Sequence, residues 1–132
     1  MNKKDVFGIL YLISKLESVR CRKRLQKIIC IGKLDPEINY PFSFEFQRYL
    51  YGPYSFELRD VTENLVNLGM INEALEGGSY NYSLTPLGKK NLVLLGKEIG
   101  KERVALIKFI KKYPKETSLN NLVQTSKGYF GW

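Results

Sequence analysis

Residues 49–71 read "YLYGPYSFELRDVTENLVNLGMI". Aromatic residues run into a Gly-Pro pair, and Ser55 follows. From there Leu58, Val61, Leu65 and Leu68 recur at i, i+3, i+7 and i+10, the spacing of one helix face. A serine hydroxyl accepts from the free N–H groups of a first helical turn, and Glu57 adds negative charge where the helix dipole favours it. Gly69 suits the left-handed residue that ends a helix. The stretch predicts a helix over 55–68 with Leu58, Val61, Leu65 and Leu68 buried.

Downstream, "MINEALEGGSYNYSLT" (70–85) predicts a hairpin. Gly77-Gly78 makes the tight turn, and Tyr80, Tyr82 and Leu84 alternate on the returning strand. Thr85-Pro86 reads as an N-cap followed by proline at the first helical position. Gly88, Leu92, Leu95 and Ile99 share a face of that helix, and the bare Gly88 allows another element to pack closely. A helix over 101–112 ends before Pro114. Thr117 or Ser118 caps a short helix through Val123, and the aromatic tail "GYFGW" (128–132) is expected to dock.

Upstream, Phe42, Phe44 and Phe46 alternate with polar residues in "FSFEFQRYLY" (42–51), which predicts a short strand broken by Gly52-Pro53. The stretch "LDPEINYPFS" (34–43), with two prolines, reads as a loop. Two helices precede it. Over 4–18, Val6, Ile9, Leu10, Ile13 and Leu16 form an apolar stripe. Over 20–33, Cys21, Leu25, Ile28, Ile29 and Gly32 face inward, opposite a basic face of Arg20, Lys23, Arg24 and Lys27. The order predicts an α+β, mainly helical fold: a winged helix-turn-helix over 1–100 with a helical C-terminal extension over 101–132. The extension packs on that domain or mediates a homodimer, because "RVALIKFI" (103–110) is apolar on more than one face.

A chain of 132 residues suits one domain. It has no histidine, which removes imidazole-based catalysis and every zinc site that needs an imidazole. Carried on one helix, Cys21 and Cys30 would lie on opposite faces roughly 13 Å apart, too far for a disulfide. Cys21 is expected in the core and Cys30 as an ordinary thiol. Free thiols fit a cytoplasmic protein. The basic, apolar N-terminus lacks the small-x-small pattern of a cleaved leader, and no stretch is long enough to span a membrane. There is no glycine-rich phosphate loop, and "GPYS" (52–55) lacks the flanking glycines of a nucleophile elbow. An enzyme, a cofactor and a metal are therefore not expected.

Three segments, "RLQKIICIG" (24–32), "FEFQRYLYGPYSFELRDVTENLVNLGMI" (44–71) and "YNYSLTPLGKK" (80–90), together resemble the YwgA-like proteins of bacteria and archaea, which are small proteins of winged-helix type. The resemblance covers roughly the first two-thirds of the chain. Leu25-Gln26-Lys27 followed by Tyr51-Gly52-Pro53-Tyr54-Ser55 is its most specific combination. The Panacea-type antitoxin domain is similar in carrying a Leu-Gln-Lys helix and a Tyr-Gly-Pro turn. The resemblance implies the fold, admits an antitoxin role, and carries over no catalytic residue.

The formal charge is +8, unevenly placed. Residues 1–34 hold nine basic and two acidic side chains, residues 35–85 two and eight, and residues 86–132 ten and three. Such a basic balance points to an acidic partner, and the winged-helix pattern points to double-stranded DNA. A reading helix normally carries basic side chains toward the phosphates. Helix 55–68 offers Arg59, Thr62, Asn64 and Asn67, but also Glu57, Asp60 and Glu63, and the hairpin adds Glu73 and Glu76. The expected DNA surface is therefore Arg20, Arg22, Lys23, Arg24 and Lys27, with Lys89 and Lys90. The expected function is a DNA-binding transcriptional regulator. The alternative is a protein-binding module, such as an antitoxin, that meets a protein partner or toxin through the acidic middle.

Overall fold

In the computed structural model, which describes residues 1–132, six helices and five short strands follow one another: α1 (Lys3–Lys15), β1 (Val19–Arg20), α2 (Arg22–Leu34), β2 (Gln47–Tyr49), β3 (Gly52–Tyr54), α3 (Phe56–Asn67), β4 (Ile71–Glu76), β5 (Ser79–Leu84), α4 (Pro86–Glu98), α5 (Arg103–Lys112) and α6 (Leu119–Phe130). The fold is α+β and mainly helical. Three strands form an antiparallel sheet in the order β1-β5-β4, and β2 and β3 form a separate two-stranded ribbon. No helix is long and apolar enough to cross a membrane.

Local chemistry sets most of the boundaries. The Asn2 side chain accepts from the N–H groups of Lys4 and Asp5 to start α1. Ser55 caps α3 by accepting from Leu58 N at 3.1 Å, Thr85 caps α4 and Ser118 caps α6. At the end of α3, Gly69 N donates to Val66 O and Met70 N to Leu65 O, the paired bonds of a Schellman ending. Glu76 and Ser79 pair across Gly77-Gly78 as the hairpin requires. A Cβ on Gly88 would lie 2.0 Å from the Met70 carbonyl oxygen, so α4 crosses the end of α3 only because that side chain is missing.

The core is one continuous cluster. It joins α1 and α2 to Leu58, Leu65, Ile71 and Tyr82, and equally to Leu106, Phe109, Tyr113 and Leu122 of the last third. Residues 101–132 thus pack on the rest of the chain: α5 lies against α1 and α2, and α6 lies along α2 and β3. As a result α2 is central, and Leu25 through Gly32 are all buried. Asp35, just past its end, accepts from Tyr113 OH at 2.6 Å and from Lys112 Nζ at 2.9 Å, which ties α2 to the end of α5. Burial alone would raise the Asp35 carboxyl, but the bonds from Tyr113, Lys112 and the Glu37 N–H hold it below the ordinary value.

Several expectations are corrected. Phe42 and Phe44 are buried and alternate with exposed neighbours, but 41–46 pairs with no strand. The segment is an extended strap across α1 and α2, tied by Asp5 accepting from Ser43 N and Oγ and by Lys33 donating to the Phe44 carbonyl. Side-chain alternation reports extended backbone and cannot report a ladder partner. The ladder starts at Gln47, and Gly52-Pro53 lies inside β3 instead of breaking it. Strand β1, only two residues long, is absent from the sequence reading. Cys21 is the N-cap of α2, with φ 71° and its sulfur accepting from Arg24 N, while Cys30 is the one sealed in the core. Leu68 is 52% exposed because α3 ends beneath it, and Thr62 takes the inward place. The last helix runs through Phe130, beyond Val123.

Candidate interaction surface

Two consecutive polar residues of α2 face inward and hold β3. The Gln26 amide donates Nε2–H to the Ser55 carbonyl at 2.9 Å and accepts Ser55 N–H on Oε1 at 2.9 Å. This is the pattern by which one β-strand residue satisfies another. Lys27, 2% exposed, donates from Nζ to the Pro53 carbonyl at 2.7 Å. Pro53 has no N–H, so its carbonyl is the one backbone hydrogen-bonding group it brings. Gly52 has φ 137°, and a Cβ there would lie 3.1 Å from Lys27 Nζ. The Leu-Gln-Lys helix and the Tyr-Gly-Pro-Tyr-Ser turn, separated in the chain, are therefore one structural unit.

The chain is a homologue of YwgA. That protein, from Bacillus subtilis, is uncharacterised; the two are 45% identical over 71 residues, which is 51% of this chain and 41% of YwgA. The chain thus matches less than half the length of this relative. No protein-family model and no solved structure matches it. YwgA brings no activity with it, so the chemistry has to come from the surface that the clamped turn presents.

Pairing of Tyr49 with Gly52 leaves Leu50 and Tyr51 as a two-residue tip. Leu50 is 74% exposed and Tyr51 64%. Behind the tip, Tyr49, Tyr54 and Phe56 form a three-ring cluster with centroids 5.0–5.5 Å apart. Lys23 Nζ stands 4.3 Å over the Tyr51 ring, and Arg48 and Lys127 stand 4.8 and 5.1 Å from the Trp132 ring. The tail docks through that contact, with Trp132 still 40% exposed. The Trp, Tyr and Arg side chains around the leucine are the residue types enriched in interface hot spots.

The residues expected to meet DNA do not form one face. Lys27 and Thr62 are corrected to interior positions: Lys27 is bonded to Pro53, and Thr62 Oγ1 donates to Leu58 O at 2.8 Å. Arg24 donates to the Thr117 carbonyl at 2.8 Å, beneath the start of α6. Arg22 lies 4.0 Å over the Tyr80 ring and 3.7 Å from Glu73, and Arg59 pairs with Asp60 and covers Phe56. Lys23 covers Tyr51. Arg20, Asn64, Asn67, Lys89 and Lys90 are exposed, on β1, α3 and α4 respectively. The arithmetic of charge along the chain could not show this, because α6 and the β2–β3 ribbon, which engage the α2 cations, lie far along the sequence. Sequence reasoning missed Gln26, Arg48 and the exposed tip. A usable signal was present: a Leu-Tyr pair between Tyr49 and Gly52 leaves two large apolar side chains at a position where turns are normally polar.

Proposed function

We propose that this protein is a protein-binding module on a winged helix-turn-helix scaffold, with the β2–β3 turn as its contact surface. The scaffold reading is supported by the place of β1 between α1 and α2, by the sheet order β1-β5-β4, and by α3 leading directly into the β4–β5 hairpin that serves as the wing. The observation that carries the functional reading is the exposed Leu50-Tyr51 tip on backbone that Gln26 and Lys27 hold in place. Exposing large apolar groups on a rigid turn is unfavourable in isolation and favours a partner that buries them. The face of α3 that would read DNA carries Glu57, Asp60 and Glu63 outward. An antitoxin that covers a toxin would act through such a surface.

The test is photo-crosslinking from position 51 in cell extract, with a probe at Asn67 of α3 for comparison. A discrete protein adduct from position 51 that is absent from position 67 is the expected result. No protein adduct from position 51 would refute the reading.

A second reading, duplex DNA binding by a transcriptional regulator, is favoured by Lys89, Lys90 and Lys97 of α4, all exposed and none within reach of a carboxylate. It requires retention on duplex DNA at about 50 mM salt, with a log–log salt slope of about −0.9 per phosphate contact.

A further inference from the structure

Four cations gather around the β2–β3 turn. A Cβ on Gly52 would meet Lys27 Nζ at 3.1 Å and Lys127 Cε at 3.9 Å, so these two lysines approach one point from α2 and from α6. Lys23 and Arg48 flank it, each laid over an aromatic ring. No carboxylate lies within ion-pair distance of any of the four, although seven ion pairs form elsewhere. Like charges held together cost free energy, and ring faces return only part of it. Burial first, and then Lys23 and Lys127, lower the Lys27 ammonium to about 8, as expected of a cation that lacks a counter-ion.

Resting on the protein-binding reading, we propose that the turn docks an acidic segment of its partner. Partner carboxylates pair with Lys23, Arg48 and Lys127, and an apolar partner pocket takes Leu50. Charge complementarity selects this occupant: exposed Arg48 and half-buried Lys23 and Lys127, none with a carboxylate in ion-pair distance, surround the most exposed large apolar side chain of the molecule. Single-stranded nucleic acid is the competing anion. It needs open aromatic faces on which bases stack, whereas the Tyr51 and Trp132 rings already carry cations. The protruding leucine also has no use in a phosphate groove.

Trp132 is the single tryptophan, so its emission reports occupancy directly. The probes are a fluorescein-labelled peptide of Glu, Asp and Leu, the same peptide with Gln and Asn in place of the acids, and oligothymidylate. The acidic peptide should bind, shift the Trp132 emission and weaken with salt. Arg48→Glu with Lys127→Glu should weaken it by at least about tenfold. Lys108→Glu with Lys111→Glu, the same charge change on exposed α5 positions, should not. Equal binding of the amide peptide would overturn the acidic chemistry while leaving a protein-binding turn. Binding of oligothymidylate but not of the acidic peptide would overturn both. No binding of the acidic peptide, or binding that the Arg48/Lys127 reversal leaves unchanged, would also refute the proposal. Circular dichroism of both double variants confirms that folding is retained.

Discussion

Lys27→Met is the most informative single change, because it separates what the Lys27 ammonium does for the fold from what it costs. The Nζ makes one strong bond to the Pro53 carbonyl, and Lys23 and Lys127 are near. Burial lowers the ammonium more than the neighbouring Cys30 raises it, and burial pushes the Cys30 thiol itself up to about 12. The ammonium is lowered from 10.5 to about 8 in the folded chain. The folded state therefore holds this proton less tightly than the unfolded state, and Lys27 destabilises the fold most below pH 8. Stability rises as pH climbs from 8 toward 10.5. Between pH 7 and 9.5 the gain is about 2 kcal/mol. Met removes the charge and leaves the Pro53 carbonyl without a partner, a loss of about 1–3 kcal/mol that offsets the relieved desolvation of similar size. Urea unfolding followed by circular dichroism at pH 7, 8, 9 and 9.5 should show wild type gaining on the variant as pH rises. Tyr40 and Tyr82, raised by burial, titrate the same way in both proteins and drop out of the difference. Parallel pH profiles for the two proteins would refute the argument, as would a loss at pH 7 well above 3 kcal/mol.

Gln26→Ala leaves the Ser55 N–H unpaired in the interior, while the Ser55 carbonyl keeps its bond from Arg59 N, and should cost about 1–3 kcal/mol by urea unfolding. Leu65→Ala should cost about 2–5 kcal/mol, while Leu68→Ala, at an exposed position, should change stability by less than about half a kcal/mol. Asp35→Asn should flatten the acid limb of the stability profile, because a lowered carboxyl contributes stability above its unfolded value of 3.8 that is lost as pH falls. Truncation after residue 100 removes Leu106, Phe109 and Tyr113 and uncovers α2, so circular dichroism should show loss of the cooperative transition. Exposed Val104 and Ile107 on α5 are where a homodimer would form, and sedimentation of the full chain checks it.

The starts of α3, α4 and α6 and the end of α3 were legible because their causes are local. Ser55, Thr85 and Ser118 reach N–H groups three residues away, and Gly69 ends α3 through bonds that span one turn. The hairpin at Gly77-Gly78 and the close approach at Gly88 follow from the same short-range reasoning. Sequence by itself also determined the class, since the apolar periodicities change from helical to alternating and back in an order that admits little else. It did not determine which polar side chains stay at the surface. The helical pattern placed Lys27 of α2 on the basic outer face and assigned Gln26 to neither; the tertiary structure made the two a clamp, because an exposed backbone arrived from 26 residues or more further along and needed partners. The same cause undid the basic face: Arg24 found the Thr117 carbonyl, and Lys23 found a ring on the β2–β3 tip. Charge can be counted along a chain, but whether a charge is free depends on which carbonyl or ring folding brings within about 3–5 Å of it, and that is settled only by long-range packing.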